Sequence, residues 1–184
     1  MITSHQNTLI KKLRKLRQTK ERRAQGLLLL EGTNLIEAAI QHGHILETFC
    51  YTEQWQTRHP QLWEQVVAQA DRQEAVTPEV IESIATTVNP DGAIAAFAPT
   101  QLTLTPPDPL SLGLMVERLQ DPGNLGTMIR TAAAAEAEGI WLSADSVDPQ
   151  NPKVLRASAG AWFQMPIVGC GELGEAIASE VSKR

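Results

Sequence analysis

Residues 112–143, LGLMVERLQDPGNLGTMIRTAAAAEAEGIWLS, constrain the chain more than any other stretch. The run 112–116 is short and apolar, as a buried strand is. Asp121, Pro122, Gly123 and Asn124 carry turn chemistry. Proline presets φ, glycine allows positive φ, and Asn124 can cap a helix beginning at Leu125. Residues 125–138 are rich in Ala, Met and Leu, which predicts a helix, and Gly139 stands where a helix stop belongs. Ile140, Trp141 and Leu142 form a second apolar run. Strand, loop, helix and strand at this spacing predict one βαβ crossover with parallel strands.

Function collects on the loop of such a unit, because unpaired amides at the helix start favour anions beyond the strand end. Asn124 and Gly126 fall on that loop, and Arg130 lies about two turns into the helix. Helical side chains lean toward the N-terminus, so the guanidinium reaches back toward the loop. Asn, Gly and a returning Arg suit a phosphate held next to a hydroxyl. The same residues also read as an Asn cap and a solvated surface arginine. Spacing leaves both readings open.

The net charge of −5 does not by itself suggest a polyanionic partner, but it hides an asymmetry. Lys11, Lys12, Arg14, Lys15, Arg17, Lys20, Arg22 and Arg23 face only Glu21 in the first 25 residues. Such a division predicts a basic arm that meets phosphate, or else a merely solvated helix face. Cys50 and Cys170 lack CxxC spacing and suggest a reducing compartment rather than a disulfide or zinc site. His5, His42, His44 and His59 show no ligand spacing, and His42 and His44, flanking Gly43, read as surface residues. Residues 1–25 lack the apolar region of a signal peptide, and the apolar run 27–30 is too short to span a bilayer.

Taken in order, Ser4 is a candidate cap for a first helix, with Leu9, Ile10, Leu13 and Leu16 as its apolar stripe. Strands are expected at 27–30, 45–51, Val76 and 93–98, and helices at 35–41, 62–70 and 79–85, the last opened by Thr77 and Pro78. This alternation is α/β. Residues 99–109, PTQLTLTPPDP, read as an extended linker. Beyond the crossover, Asn151 and Pro152 cap a short helix over 153–159. Residues 165–168 are a strand, and Gly169, Gly171 and Gly174 form a G-x-G-x-x-G before a helix over 172–183. A lone match of that kind is weak evidence for a dinucleotide site.

Residues 124–130, NLGTMIR, form Asn-x-Gly-x-x-x-Arg, and here the chain resembles the SpoU (TrmH-like) RNA 2′-O-methyltransferases. Residues 117–122, 131–135 and KVLRASAG at 153–160 share the resemblance. The N-terminal half resembles the small substrate-binding domain that precedes the methyltransferase domain in many SpoU proteins. The matching parts are residues 7–12, LLEG at 29–32, and 82–97 with Asn89, Pro90, Asp91 and Gly92. That domain is similar to the ribosomal protein L30 fold, which binds RNA. The resemblance implies an α/β chain in three parts. An L30-like α/β substrate-binding domain covers 1–98 and a linker covers 99–109. Over 110–184 stands the N-terminal part of a Rossmann-like, parallel-sheet SPOUT methyltransferase domain, without its trefoil-knot part.

The implied activity is S-adenosylmethionine-dependent 2′-O-ribose methylation of rRNA or tRNA, in the cytoplasm, by an intact parent that pairs as a homodimer. Arg130 and Asn124 take catalytic places by this resemblance. Lys11, Lys12, Arg14, Lys15, Lys153 and Arg156 are the candidate RNA-binding residues, and the last two lie three apart on one helix face. No metal is implied. The family builds its S-adenosylmethionine site from a later Gly-x-Glu block and a Ser-Leu-Asn-Val block, and neither is in this sequence. No cofactor-binding residue is therefore assigned, and the 184-residue chain is expected to lack cofactor binding and turnover of its own. Two other readings stand beside it: a non-catalytic RNA-binding protein with a vestigial second domain, and a small-molecule enzyme built on the glycine turn at Gly169.

Overall fold

A computed structural model describes residues 1–101 and 104–182. Leu102 and Thr103, within the expected linker, and Lys183, at the end of the last expected helix, lie outside the described residues. The chain divides into two compact units, Met1–Gln101 and Leu102–Arg184.

The first unit opens with α1 (Thr8–Lys15) and α2 (Thr19–Gln25). Asn7, not Ser4, caps α1: its Oδ1 accepts from the Leu9 amide at 2.9 Å, while Ser4 Oγ only closes a turn with the Gln6 amide. Then come β1 (Leu28–Glu31), α3 (Thr33–Gln41), β2 (Leu46–Tyr51), α4 (Glu53–Arg58), α5 (Pro60–Ala68), β3 (Gln73–Ala75), α6 (Pro78–Ile84) and β4 (Ala93–Phe97). The helices α2 and α4 are short and polar, and nothing in their periodicity marks them. Thr52 stops β2 and opens α4 by accepting from the Trp55 amide at 3.2 Å. The sheet runs β1-β4-β2-β3; β4 is antiparallel to both neighbours and β3 is parallel to β2. Every residue of β4 is buried, as a central strand's must be. The stripe Ile10, Leu13 and Leu16 packs into a core with Val80, Ile81, Ile84, Leu29 and Ile94.

Two expectations change here. The basic segment is not an arm but two helices folded onto this core, and three of its arginines are structural. Arg17 donates from Nε to the Ile84 carbonyl at 2.7 Å and from Nη2 to those of Ser83 and Ala85 at 2.6 Å. It thus satisfies the carbonyls that α6 leaves open at its end. Arg22 is buried, its Nη1 on the Leu16 and Arg17 carbonyls and its Nη2 on Thr19 Oγ1. Arg14 is half-buried and donates to the His5 carbonyl at 2.9 Å. His44 is the second correction. It is buried against Phe97, ring centroids 5.0 Å apart, rather than lying on the surface.

The second unit carries β5 (Gly113–Val116), α7 (Pro122–Ala134), β6 (Gly139–Ser143), α8 (Pro152–Ala157), a single 3-10 turn (Ala161–Phe163), β7 (Ile167–Cys170) and α9 (Leu173–Ser182). Its sheet runs β5-β6-β7, all parallel, with Gly113 opposite Gly139 and Ile140 opposite Ile167. The βαβ crossover is present, and β6 at its centre is wholly buried. The helix limits differ from expectation. α7 starts at Pro122, because Asp121 caps it, and ends at Ala134. Glu136 takes the left-handed conformation (φ +58°) that Gly139 was expected to supply, and Gly139 instead begins β6.

Candidate functional site

The C-terminal ends of β5 and β6 lie side by side, and two loops leave them. In open parallel sheets this is the edge where ligands bind. The loop after β6 holds the loop after β5 in place. Ser143 Oγ accepts from the Arg118 amide at 2.9 Å, and Ser146 Oγ from the Leu119 amide at 3.2 Å. The Leu119 carbonyl accepts from the Val147 amide at 2.7 Å, and Gln120 Nε2 donates to the Asp145 carbonyl at 2.8 Å. Backbone polar groups in loops need partners, and here most of them find polar side chains of the neighbouring loop.

Three residues on, the chain enters α7. Asp121 Oδ1 accepts from the Asn124 amide at 2.8 Å, and Pro122 fills the first helical position, where a missing N–H costs nothing. Asn124 is therefore not the cap; it sits in the first turn with its side chain exposed. The Asp121 carboxylate answers the helix start. Gly126 departs further from expectation. It is buried inside α7, not on the loop, and a Cβ there would meet Ala157 Cβ at 2.4 Å and the Val154 carbonyl oxygen at 2.7 Å. Its role is to let α7 and α8 approach.

Arg130 is exposed and makes no hydrogen bond or ion pair among the described residues. Ideal helix geometry puts it about 9 Å along the axis from Asn124 and about 120° around it. Its side chain leans back toward the helix start. The close α7–α8 contact brings Lys153 to the same end: its Nζ lies 3.9 Å from Asp121 Oδ2, an exposed pair of small energetic weight. Arg156, one turn on, is half-buried. The structure thus places Asn124 and Lys153 at the start of α7, with Arg130 about two turns further along the same helix and on another face of it. Lys11, Lys12, Arg14 and Lys15 belong to the first unit; the three lysines are exposed, and Arg14 is partly spent on the His5 carbonyl.

Sequence reasoning missed Asp121 as the cap, although Asp-Pro is the same cap-plus-N1 pattern it used at Thr77 and Asn151. It also missed Arg118, Ser143, Asp145 and Ser146. The glycine turn supports no dinucleotide site. A fingerprint's glycines are needed where helix and strand pack closely, yet a Cβ at Gly169, Gly171 or Gly174 would meet nothing within 4 Å.

An apolar groove of about 600 Å³ runs along the free edge of β5 and one side of α7, lined by Leu112, Leu114, Met115, Met128 and Ala135 among others. Its polar side chains, Glu117, Thr127 and Thr131, are exposed, and Thr127 Oγ1 is committed to the Gly123 carbonyl at 3.0 Å. A sulfonium nucleoside needs converging acceptors and donors for its amino acid, ribose and base. The lining of this groove does not supply such a set.

Comparison with known proteins identifies both units. The model of the MRM3-like substrate binding domain matches residues 7–95, and that of the SpoU rRNA Methylase family matches residues 111–183. An uncharacterized tRNA/rRNA methyltransferase of Synechocystis is 52% identical over 165 residues, which is 90% of this chain and 60% of that protein. A crystal structure of an RNA 2′-O ribose methyltransferase superposes with a TM-score of 0.82 at 33% identity, over 99% of this chain and 69% of that one. The AdoMet-bound rRNA methyltransferase of Sinorhizobium meliloti superposes with a TM-score of 0.78 at 28% identity, over 98% and 67%. The chain therefore spans about 60% of the length of the curated relative from Synechocystis. With its motif, its parallel βαβ unit and both domain matches in agreement, the chain belongs to the SpoU RNA methyltransferase family.

Proposed function

We propose that this chain carries the RNA-recognition unit and the substrate-facing half of the catalytic unit of a cytoplasmic RNA 2′-O-ribose methyltransferase acting on rRNA or tRNA. The observation that carries the reading is Arg130: an exposed guanidinium with no internal partner among the described residues, on the helix that opens at the ligand edge of a parallel sheet. S-adenosylmethionine supplies the methyl group in this family. The groove beside β5 does not fit it, and the roles assigned to this chain's residues concern the RNA.

A guanidinium keeps its proton at any ordinary pH and cannot serve as a base. Its planar fork matches a phosphate with two parallel hydrogen bonds. Arg130 holds a backbone phosphate next to the target nucleotide, which fixes the ribose and its 2′-hydroxyl in line for transfer. Asn124, in the first turn of α7, orients the ribose. Lys153 and Arg156 on α8 extend the phosphate track. Lys11, Lys12 and Lys15, with Arg14 in a lesser part, bind RNA on the first unit. DNA lacks the 2′-hydroxyl and is not a substrate.

The test is Arg130→Lys in a version extended with the family's two later blocks, assayed for transfer of tritiated methyl groups to ribosomal and transfer RNA. Charge is kept and the fork is lost. The expected fall is at least about 100-fold, the scale of a lost positioning group, with an unchanged melting temperature. Near-normal turnover would return Arg130 to the solvated surface. RNA binding without any transfer by the extended wild type would favour the non-catalytic reading.

A further inference from the structure

We propose that Arg118 is a second phosphate-binding residue of the site, one that sequence pattern does not reveal. The inference rests on the RNA-directed function proposed for Arg130.

Arg118 lies two residues past the end of β5 with φ +53°, in the left-handed region that a residue with a Cβ rarely enters. Its surroundings hold it there. Its amide donates to Ser143 Oγ at 2.9 Å, and Ser143, itself buried, donates to Asp145 Oδ1 at 2.7 Å. Its carbonyl accepts from Gln120 Nε2 at 3.3 Å. These are contacts of the Arg118 backbone. Glycine would make them all and would carry no strain. The fold thus needs a left-handed residue here but gives no reason for an arginine.

The side chain supplies the reason. It is 75% exposed and holds one partner, Asp145 Oδ2, 3.4 Å from Nε. Both Nη groups lack hydrogen bonds among the described residues. Strained backbone persists where surrounding structure over-determines it, and such residues collect at ligand sites. The position is the C-terminal edge of a parallel sheet, three residues before the Asp121 cap that Lys153 touches. A fork of free guanidinium donors in that place matches a phosphate diester. Asp145 restrains the fork at the crevice in the free protein, and its long, exposed contact yields to an incoming phosphate.

The experiment compares the full 184-residue chain with Arg118→Gly and Arg118→Lys. The probe is a fluorescein-labelled mixed-sequence RNA oligonucleotide, titrated by anisotropy across a salt series, with thermal melts alongside. Arg118→Gly is expected to weaken binding by roughly tenfold or more, the weight of one charge-assisted contact. The slope of log K against log salt should shrink by about 0.7. The melting temperature should hold or rise, because the strain is gone. Arg118→Lys should keep the slope. A purely structural arginine would show the reverse, a lower melting temperature with an unchanged slope, and that result would overturn the proposal. Wild-type chain without salt-dependent RNA affinity would overturn the RNA-directed function as well.

Discussion

Replacing Gly126 by Ala tests how the site is built. A Cβ at this position would lie 2.4 Å from Ala157 Cβ, 2.7 Å from the Val154 carbonyl oxygen and 2.9 Å from the Ala157 carbonyl carbon. Ordinary contact begins near 3.4 Å, so α8 must retreat by about 1 Å. Two of the three atoms are backbone, and no rotamer change relieves them. Overpacking of this kind costs about 1–3 kcal/mol, and a rigid helix wall places it near the top of that range. The helix itself gains about 1 kcal/mol from losing a glycine. A net loss of about 2 kcal/mol remains, which in a unit of this size lowers the melting temperature by roughly 8 to 16 °C. Thermal melts followed by circular dichroism would measure it, with Gly171→Ala as the control, since nothing lies within 4 Å of that position. If Gly126→Ala melted at or above wild type, the close α7–α8 contact would be wrong. The placement of Lys153 beside Asp121 would then fall with it.

Two further outcomes are expected. Replacing Lys11, Lys12 and Lys15 together by Gln should remove about 2 from the slope of log K against log salt for RNA binding, at about 0.7 per phosphate contact. An unchanged slope in anisotropy titrations would leave α1 a solvated face. Burial, with a smaller push from His42, holds the His44 imidazole below its ordinary pKa of 6.5. The unfolded chain therefore takes up that proton first as pH falls. Stability contributed at neutral pH should decline below about pH 6.5 and level off beneath the folded-state pKa. His44→Gln should flatten that part of a urea-denaturation profile against pH, and an identical profile would refute the assignment.

The sequence was legible where a residue's partner sits within its own element or turn. Thr77-Pro78 and Asn151-Pro152 read as helix starts, and both stand at the head of helices, α6 and α8. Asp121-Pro122 is the same signal, but Gly123 and Asn124 behind it carry turn chemistry strongly enough to shift the expected start of α7 by three residues. That shift misassigned Asn124 as a cap. Gly126 was illegible for a different reason. Its constraint comes from Val154 and Ala157, about thirty residues away, and no local pattern records that two helices will touch there. The same distance separates count from role among the cations. Arg17 reads as one more charge in a basic run until the fold brings the carbonyls of residues 83–85 to its guanidinium. Composition placed half the basic residues in the first 25, but only packing divides them. Arg14, Arg17 and Arg22 secure the first unit, while Lys11, Lys12, Lys15, Lys20 and Arg23 stay exposed. Arg118 stands at the opposite extreme. Its backbone is fully used and its side chain almost wholly spared, so its identity is explained by neither local propensity nor packing. A residue that the fold constrains only as backbone, yet that carries a charged fork into a ligand crevice, leaves its chemistry to be explained by what binds there.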